Sequence, residues 1–216
     1  MEISTVEILF QIIAFLFAIS LHESAHAWSA YRLGDDTARL LGRISLNPIR
    51  HIDPVGTILM PLIAAITHIP LIGWAKPTPV NPLRLRHPVR DNVLVAAAGP
   101  ISNFLAAAGA VLLLRLLMWI TGAGIFAGGS SVFAPLMMLL YAAMVINVIL
   151  AVFNLIPIPP LDGSHVLEGI LPEGPRAIYA SIQQYGFILL LFLIWYVDLS
   201  RIFNPFLNFY YFLLRV

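Results

Sequence analysis

Long apolar runs are the feature that most restricts how this chain can fold. The first extends from Val6 to Tyr31, and Asn92–Ile120 and Phe133–Leu155 have the same character. Each is long enough for a helix that crosses the hydrocarbon core of a bilayer, which needs about 20 apolar residues. Only 11% of the 216 residues are charged, whereas a soluble domain has about 25%. The chain is therefore predicted to be an integral membrane protein.

Three further apolar segments extend this pattern. Ile178–Val197 is predicted to be another span, and Ile202–Leu214 is short enough to lie at the interface or to pack steeply against its neighbours. Pro54–Ile69 is short, contains a central proline and has basic residues on both sides. A re-entrant hairpin fits these flanks better than a single crossing. The three prolines of Leu71–Pro82 predict an extended returning strand.

The predicted fold class is an all-α multi-pass membrane protein with about five to six hydrophobic helical segments. A short re-entrant hairpin or extended strands would lie between the first span and the third hydrophobic segment. Residues 1–216 would form one domain, with a core over 6–175 and C-terminal helices over 178–214. Eight of the twelve Lys and Arg residues lie between positions 32 and 90 and none between 121 and 132. The positive-inside rule therefore places the former region in the cytoplasm, and the first segment is expected to be retained with its N-terminus outside.

The sequence LHESAHAW, residues 21–28, places ionisable groups at the end of the first span. His22 and His26 are four positions apart, so both imidazoles project from one helical face and can reach one zinc ion. Glu23 is suited to act as the general base on a water at that metal. Ionisable side chains inside a membrane are costly and usually functional. The pattern predicts a metalloprotease site toward the cytoplasmic end of the helix.

A catalytic zinc takes three protein ligands and keeps one position open. The chain has no cysteine, so the third ligand must supply nitrogen or oxygen. The best candidate is Asp162 in FNLIPIPPLDGSH, because the prolines end the helix before it and deliver the carboxylate on an extended stretch. His165, three residues later, is the rival ligand. His51 is expected to fasten a loop, while His68 and His87 look like ordinary interfacial residues.

These motifs resemble those of the site-2 protease family of intramembrane zinc metalloproteases. GRISLNPIRHIDPVGT, WAKPTPVNP and AAAGPISNF are similar to the connecting segments of one subgroup, so the resemblance covers about residues 6 to 175. It implies that His22, His26 and Asp162 bind one zinc ion and that Glu23 is the catalytic base. Asn103 and Asn154 match polar family positions that could support substrate or an oxyanion, or could bond freed backbone groups. Nothing in the chain has the length or polarity of a PDZ or CBS domain.

The resemblance implies hydrolysis of peptide bonds in or near transmembrane segments of membrane proteins. The expected partners are a transmembrane protein substrate and the lipid bilayer, with no nucleic acid, and the expected location is the cell membrane of a prokaryote with the active site toward the cytoplasm. The oligomeric state stays open. The rival interpretations are a membrane transporter and a non-catalytic scaffold with a buried metal site. A transporter usually shows polar residues on several helices and an internal repeat, and the chain has no such repeat.

Overall fold

The computed structural model of the chain describes residues 5–60, 63, 74–122 and 132–214. The helices are α1 Thr5–Arg32, α2 Thr37–Leu40, α3 Pro88–Thr121, α4 Ala134–Asn154, α5 Asp162–Ile170, α6 Glu173–Gln183, α7 Gly186–Tyr196 and α8 Ser200–Leu214. Short 3₁₀ turns at Pro48–Arg50 and Pro82–Arg84 and a π-helical turn at Pro54–Leu59 complete the ordered elements. The described part of the chain contains no β-strand.

The described residues contain fewer candidate membrane spans than the five to six hydrophobic segments predicted from the sequence. Helices α1, α3 and α4 are long and apolar enough to cross a membrane, and α6 with α7 would add a fourth span if the bent pair counts as one. The prediction of five to six segments is therefore not confirmed. The predicted span Ile178–Val197 is instead two helices that meet at 77°. Gly186 begins α7 and packs directly against Pro159, where a Cβ would lie 2.5 Å from the proline carbonyl oxygen. Because Gly186 has no side chain, the bent chain can pack on the loop that contains Pro159.

The predicted re-entrant hairpin lies mostly outside the described residues. Of Pro54–Ile69, the structure describes the π-helical turn, Met60 and Ile63. Of Leu71–Pro82, it describes the chain from Trp74 onward, which has no helix or strand up to Asn81. Asn81 has an extended backbone (φ −105°, ψ 100°), but the predicted returning strand is not found among the described residues.

The helices pack through small residues near the site and through large ones away from it. Every buried residue of α1 is alanine, serine or histidine, which lets α3 and α4 approach closely without large side chains between them. A cluster of larger buried side chains joins α3, α4 and α8 and includes Leu114, Met137, Met144 and Tyr210. The Tyr210 hydroxyl donates to the carbonyl of Phe104 at 2.9 Å. Short α8 is thereby held against α3, as the sequence predicts for a helix too short to cross alone.

Candidate metal centre

Two imidazoles from α1 form one side of a buried cluster. His22 and His26 are 6% and 8% exposed, and their rings meet edge to face with centroids 4.6 Å apart. This is the geometry expected for side chains one helical turn apart. Burial of two such polar rings inside a membrane helix is costly unless each nitrogen has a partner.

The carboxylate of Asp162 completes the cluster from the start of α5. Its Oδ2 lies 3.0 Å from Nε2 of His22 and 3.3 Å from Nε2 of His26, and the three potential ligand atoms lie within 4.8 Å of one another. In a tetrahedral zinc site with bonds of about 2.0–2.2 Å, neighbouring ligand atoms are about 3.3 Å apart. The spacing therefore matches one small cation in contact with all three atoms.

The outer nitrogens of both rings face acceptors. Nδ1 of His22 lies 2.6 Å from Oδ1 of Asn103, and Nδ1 of His26 lies 2.7 Å from the carbonyl oxygen of Val95. Because these oxygens only accept hydrogen bonds, each Nδ1 must carry the hydrogen, and the neutral ring then presents a lone pair at Nε2. Both lone pairs point into the cluster.

A second asparagine fixes the orientation of Asn103. The Nδ2 group of Asn103 donates to the carbonyl of Ala18 at 3.1 Å and to Oδ1 of Asn147 at 2.7 Å. Nδ2 of Asn147 in turn donates to the carbonyl of Ala143 at 2.8 Å. If either amide were turned over, its Oδ1 would face another acceptor, the carbonyl of Ala18 or of Ala143. The chain of hydrogen bonds therefore determines which nitrogen of His22 faces inward.

The residues of the cluster fit a divalent cation. Three electron-pair donors face one another, and Oδ2 of Asp162 is buried without accepting a hydrogen bond from any residue that the structure describes. Oδ2 is within ion-pair distance of both imidazoles, but with the hydrogen of each ring on Nδ1 neither ring can donate to it. Two imidazoles and a carboxylate are a ligand set that zinc accepts.

The chain between α4 and α5 is shaped to deliver Asp162. Helix α4 ends at Asn154, and the following prolines prevent its continuation. Asp162 then opens α5, where an acidic side chain is favoured by the exposed amides of the first turn. A Cβ on Gly163 would lie 2.3 Å from the carbonyl oxygen of Leu155. Only glycine lets the two helix ends come this close, so the turn brings the carboxylate back toward α1.

Gly99 of α3 provides the space in which the imidazoles sit. A Cβ at this position would lie 2.4 Å from Nε2 of His26 and 2.6 Å from Nε2 of His22. Such distances are far below ordinary van der Waals contact. Gly99 therefore allows the backbone of α3 to pass directly beside the ligand atoms.

Glu23 lies in a cleft that opens from the cluster. The cleft has a volume of about 740 Å³ and is lined by both histidines, Asp162, Glu23, Asn154 and His165, and otherwise mainly by apolar side chains. Oε2 of Glu23 accepts hydrogen bonds from the amide and hydroxyl of Thr78 at 2.8 and 2.7 Å. Glu23 therefore lines the same cleft as the three potential ligand residues, with a side chain of a type that can accept a proton.

Comparison with known proteins agrees with this geometry. The family model described as peptidase family M50 matches residues 116–196. The chain is 41% identical over 182 residues to "Putative zinc metalloprotease YwhC" of Bacillus subtilis. The matched region covers 84% of this chain and 78% of the relative. This chain belongs to peptidase family M50, the site-2 protease family.

Other relatives of this M50 peptidase carry a similar name. "Putative zinc metalloprotease Rip2" of Mycolicibacterium smegmatis is 32% identical over 194 residues, covering 88% of this chain and 68% of the relative. The protein of the same name from Mycobacterium tuberculosis strain H37Rv is 33% identical over 184 residues, with 84% and 65% covered. No solved structure matches the chain.

The structure brings some of the predicted site residues of the M50 peptidase together and separates others. His22, His26 and Asp162 meet, while His165 lines the cleft with its Nδ1 3.9 Å from Oε2 of Glu168. Asn154 lies in the cleft wall and donates to the carbonyl of Leu150. Asn103 is fully buried behind His22, so it contacts a ligand residue and not the cleft.

Several contacts of the M50 site were not anticipated from the sequence. Asn147 is an asparagine in the interior of a strongly apolar span, and that is a signal that could have identified it. Gly99 and Thr78 have no such signal, because their roles depend on how distant segments pack. The expectation for His51 is confirmed: it is 1% exposed, and its Nε2 lies 2.7 Å from the carbonyl oxygen of Ser45 within the loop.

Proposed function

We propose that this M50 peptidase is an intramembrane zinc metalloendopeptidase. It hydrolyses peptide bonds in or near transmembrane segments of other membrane proteins. The convergence of two imidazole Nε2 atoms and a carboxylate Oδ2 beside Glu23 is the observation that supports this proposal most strongly. The names of the relatives, which describe zinc metalloproteases, agree with it.

In this proposal His22, His26 and Asp162 hold one zinc ion per chain. When bound, zinc supplies Lewis acidity and lowers the pKa of a coordinated water to about 7. Glu23 accepts the proton of the attacking water and passes it to the nitrogen of the leaving amine. Asn103 and Val95 keep the imidazoles in the tautomer that leaves Nε2 available.

The cleft is suited to an unwound stretch of a transmembrane helix. A helical substrate shields its carbonyls in hydrogen bonds, so the scissile region must open locally before water can attack. Trp74, Thr78 and Val80 line the cleft, so an unwound substrate would lie beside this segment. The predominantly apolar lining favours membrane-embedded sequence, and Asn154 offers a polar group to a freed substrate amide. We place the site toward the cytoplasmic side, following the distribution of basic residues.

Cleavage by the purified protein tests this function. Zinc-loaded protein in detergent should cut a model transmembrane substrate, and a chelator should abolish the cleavage. Glu23→Gln should bind zinc as wild type does but should not cleave, because the amide cannot accept the proton. Glu173→Gln is the matched control, since Glu173 is exposed at the start of α6 and outside the cleft. Zinc-loaded Glu23→Gln protein that still cleaves, or ion flux without cleavage in vesicles, would contradict the proposal.

A further inference from the structure

The segment from Trp74 to Asn81 contacts Glu23 through Thr78. Thr78 directs both its amide and its hydroxyl to the same carboxylate oxygen, Oε2, at 2.8 and 2.7 Å. The hydroxyl is also 3.0 Å from the backbone carbonyl of Glu23, but it has a single hydrogen and the carboxylate is the nearer acceptor. Oε1 accepts no hydrogen bond from the described residues. Within the described residues, Oε2 is therefore hydrogen-bonded and Oε1 is not.

Two prolines isolate this contact. Pro77 and Pro79 flank Thr78 and carry no N–H group. Thr78 therefore provides the only backbone donor between Lys76 and Val80. Its amide is committed to Glu23, and fixed φ angles on both sides limit its movement. The local sequence PTP presents one rigid pair of donors to one side chain.

The segment itself is held at several points. The buried guanidinium of Arg43 donates to the carbonyls of Lys76 and Pro77, the two residues before Thr78. The Thr57 hydroxyl donates to the carbonyl of Trp74 at 2.8 Å, and the Asn81 amide donates to Asp35 at 2.7 Å. Thr78 is thus presented to α1 from a braced support.

We propose that Thr78 is a positioning residue that orients the carboxylate of Glu23. This inference rests on the proposed function, in which Glu23 takes the proton from water. A glutamate side chain has several free torsions, and a general base must lie within about 2.6–3.2 Å of the oxygen whose proton it accepts. Two donors on Oε2 hold that oxygen and leave Oε1 without a hydrogen bond from the described residues. The hydroxyl of Thr78 therefore contributes to kcat through Glu23.

Two matched pairs of proteins test this role. Wild type and Thr78→Val differ in the hydroxyl at nearly constant volume, and Thr78→Ser and Thr78→Ala differ in the hydroxyl alone. Loss of a hydrogen bond to a charged group corresponds to about a tenfold to hundredfold effect, so kcat should fall by that factor in the valine and alanine variants. KM and zinc content should stay near the wild-type values, and Thr78→Ser should recover kcat. If Thr78→Val does not fold, the serine and alanine pair gives the answer.

Thr57→Val is the control for a merely structural effect. It removes a hydroxyl that holds the same segment but does not contact Glu23, and its kcat should stay close to wild type. Equal losses in Thr57→Val and Thr78→Val would overturn the proposal, as would wild-type kcat in Thr78→Val or failure of Thr78→Ser to recover it.

A spectroscopic measurement tests the contact without any turnover. The infrared carboxylate band of Glu23 is identified in metal-free protein as the difference between wild type and Glu23→Gln. This band should shift in Thr78→Val and remain in place in Thr78→Ser and Thr57→Val. An unshifted band in Thr78→Val would refute the inference. A shifted band in Thr78→Val, together with wild-type protein that cleaves no substrate, would instead count against the proposed function.

Discussion

Replacing Gly99 by alanine should greatly weaken metal binding. The new Cβ would lie 2.4 Å from Nε2 of His26 and 2.6 Å from Nε2 of His22. Ordinary contact requires about 3.5 Å, so the imidazoles or the α3 backbone must move by about 1 Å. Metal sites tolerate errors of about 0.2 Å in ligand distance. Because even loss of an outer partner lowers metal affinity about 10–100-fold, a displacement of both ligands should lower zinc affinity by at least that factor.

Zinc titration against a competing chelator in detergent measures this effect. Gly109→Ala is the control, because Gly109 lies on the same helix and its new Cβ would meet nothing within 4 Å. That replacement should leave zinc affinity unchanged and could stabilise α3 by up to about 1 kcal/mol, the difference in helix propensity. Wild-type zinc affinity in Gly99→Ala would refute the claim that α3 passes directly beside the ligand atoms.

Four further replacements test the site and its surroundings. Asn103→Leu should lower zinc affinity about 10–100-fold, because Nδ1 of His22 loses its acceptor; an unchanged affinity would remove Asn103 from the support of the centre. Asp162→Ala should lower zinc affinity by more than about 100-fold, beyond the effect of an outer partner, and His165→Ala should leave it near wild type; the opposite result would make His165 the ligand. Burial raises the pKa of Asp35, but hydrogen bonds from Thr37 and Asn81 and the charge of Arg84 outweigh it, so the pKa of Asp35 is lowered. Stability from Asp35 is then full above its unfolded pKa of about 3.9 and is lost as the pH falls through the folded pKa. Thermal unfolding in detergent should show Asp35→Asn less stable than wild type at pH 7 by about 1–3 kcal/mol, with a gap that narrows on acidification; a gap independent of pH would refute this account.

The sequence predicted the parts of the site that local geometry determines. The four-residue spacing of His22 and His26 places them on one face of any helix, and the prolines before Asp162 must end a helix wherever they occur. Asn103 was identified, but its contact with His22 was not, because that contact depends on the packing of α3 against α1. Gly99 and Thr78 were missed for the same reason.

The helix boundaries of the C-terminal part show a second limit. Ile178–Val197 has the average apolar character of a span, and that average conceals the polar Gln183 and Gln184 and the small Gly186. The bend at this position follows from the contact of Gly186 with Pro159, a residue from another part of the chain. Hydropathy averaged over a window contains no information about such a contact.

The small-residue face of α1 has a consequence for how this protein tolerates mutation. Positions such as Ala18, Ala27 and Ala30 have no exposed surface and almost no side chain to lose, so truncation there has little effect, whereas each added methylene separates the helices. Phe17 and Trp28 on the other faces are exposed, and their side chains can be exchanged for other lipid-soluble ones. On the buried face of α1, side-chain size should therefore decide which substitutions are tolerated, and on the other faces polarity should decide it. The limit on size should be tightest next to His22 and His26.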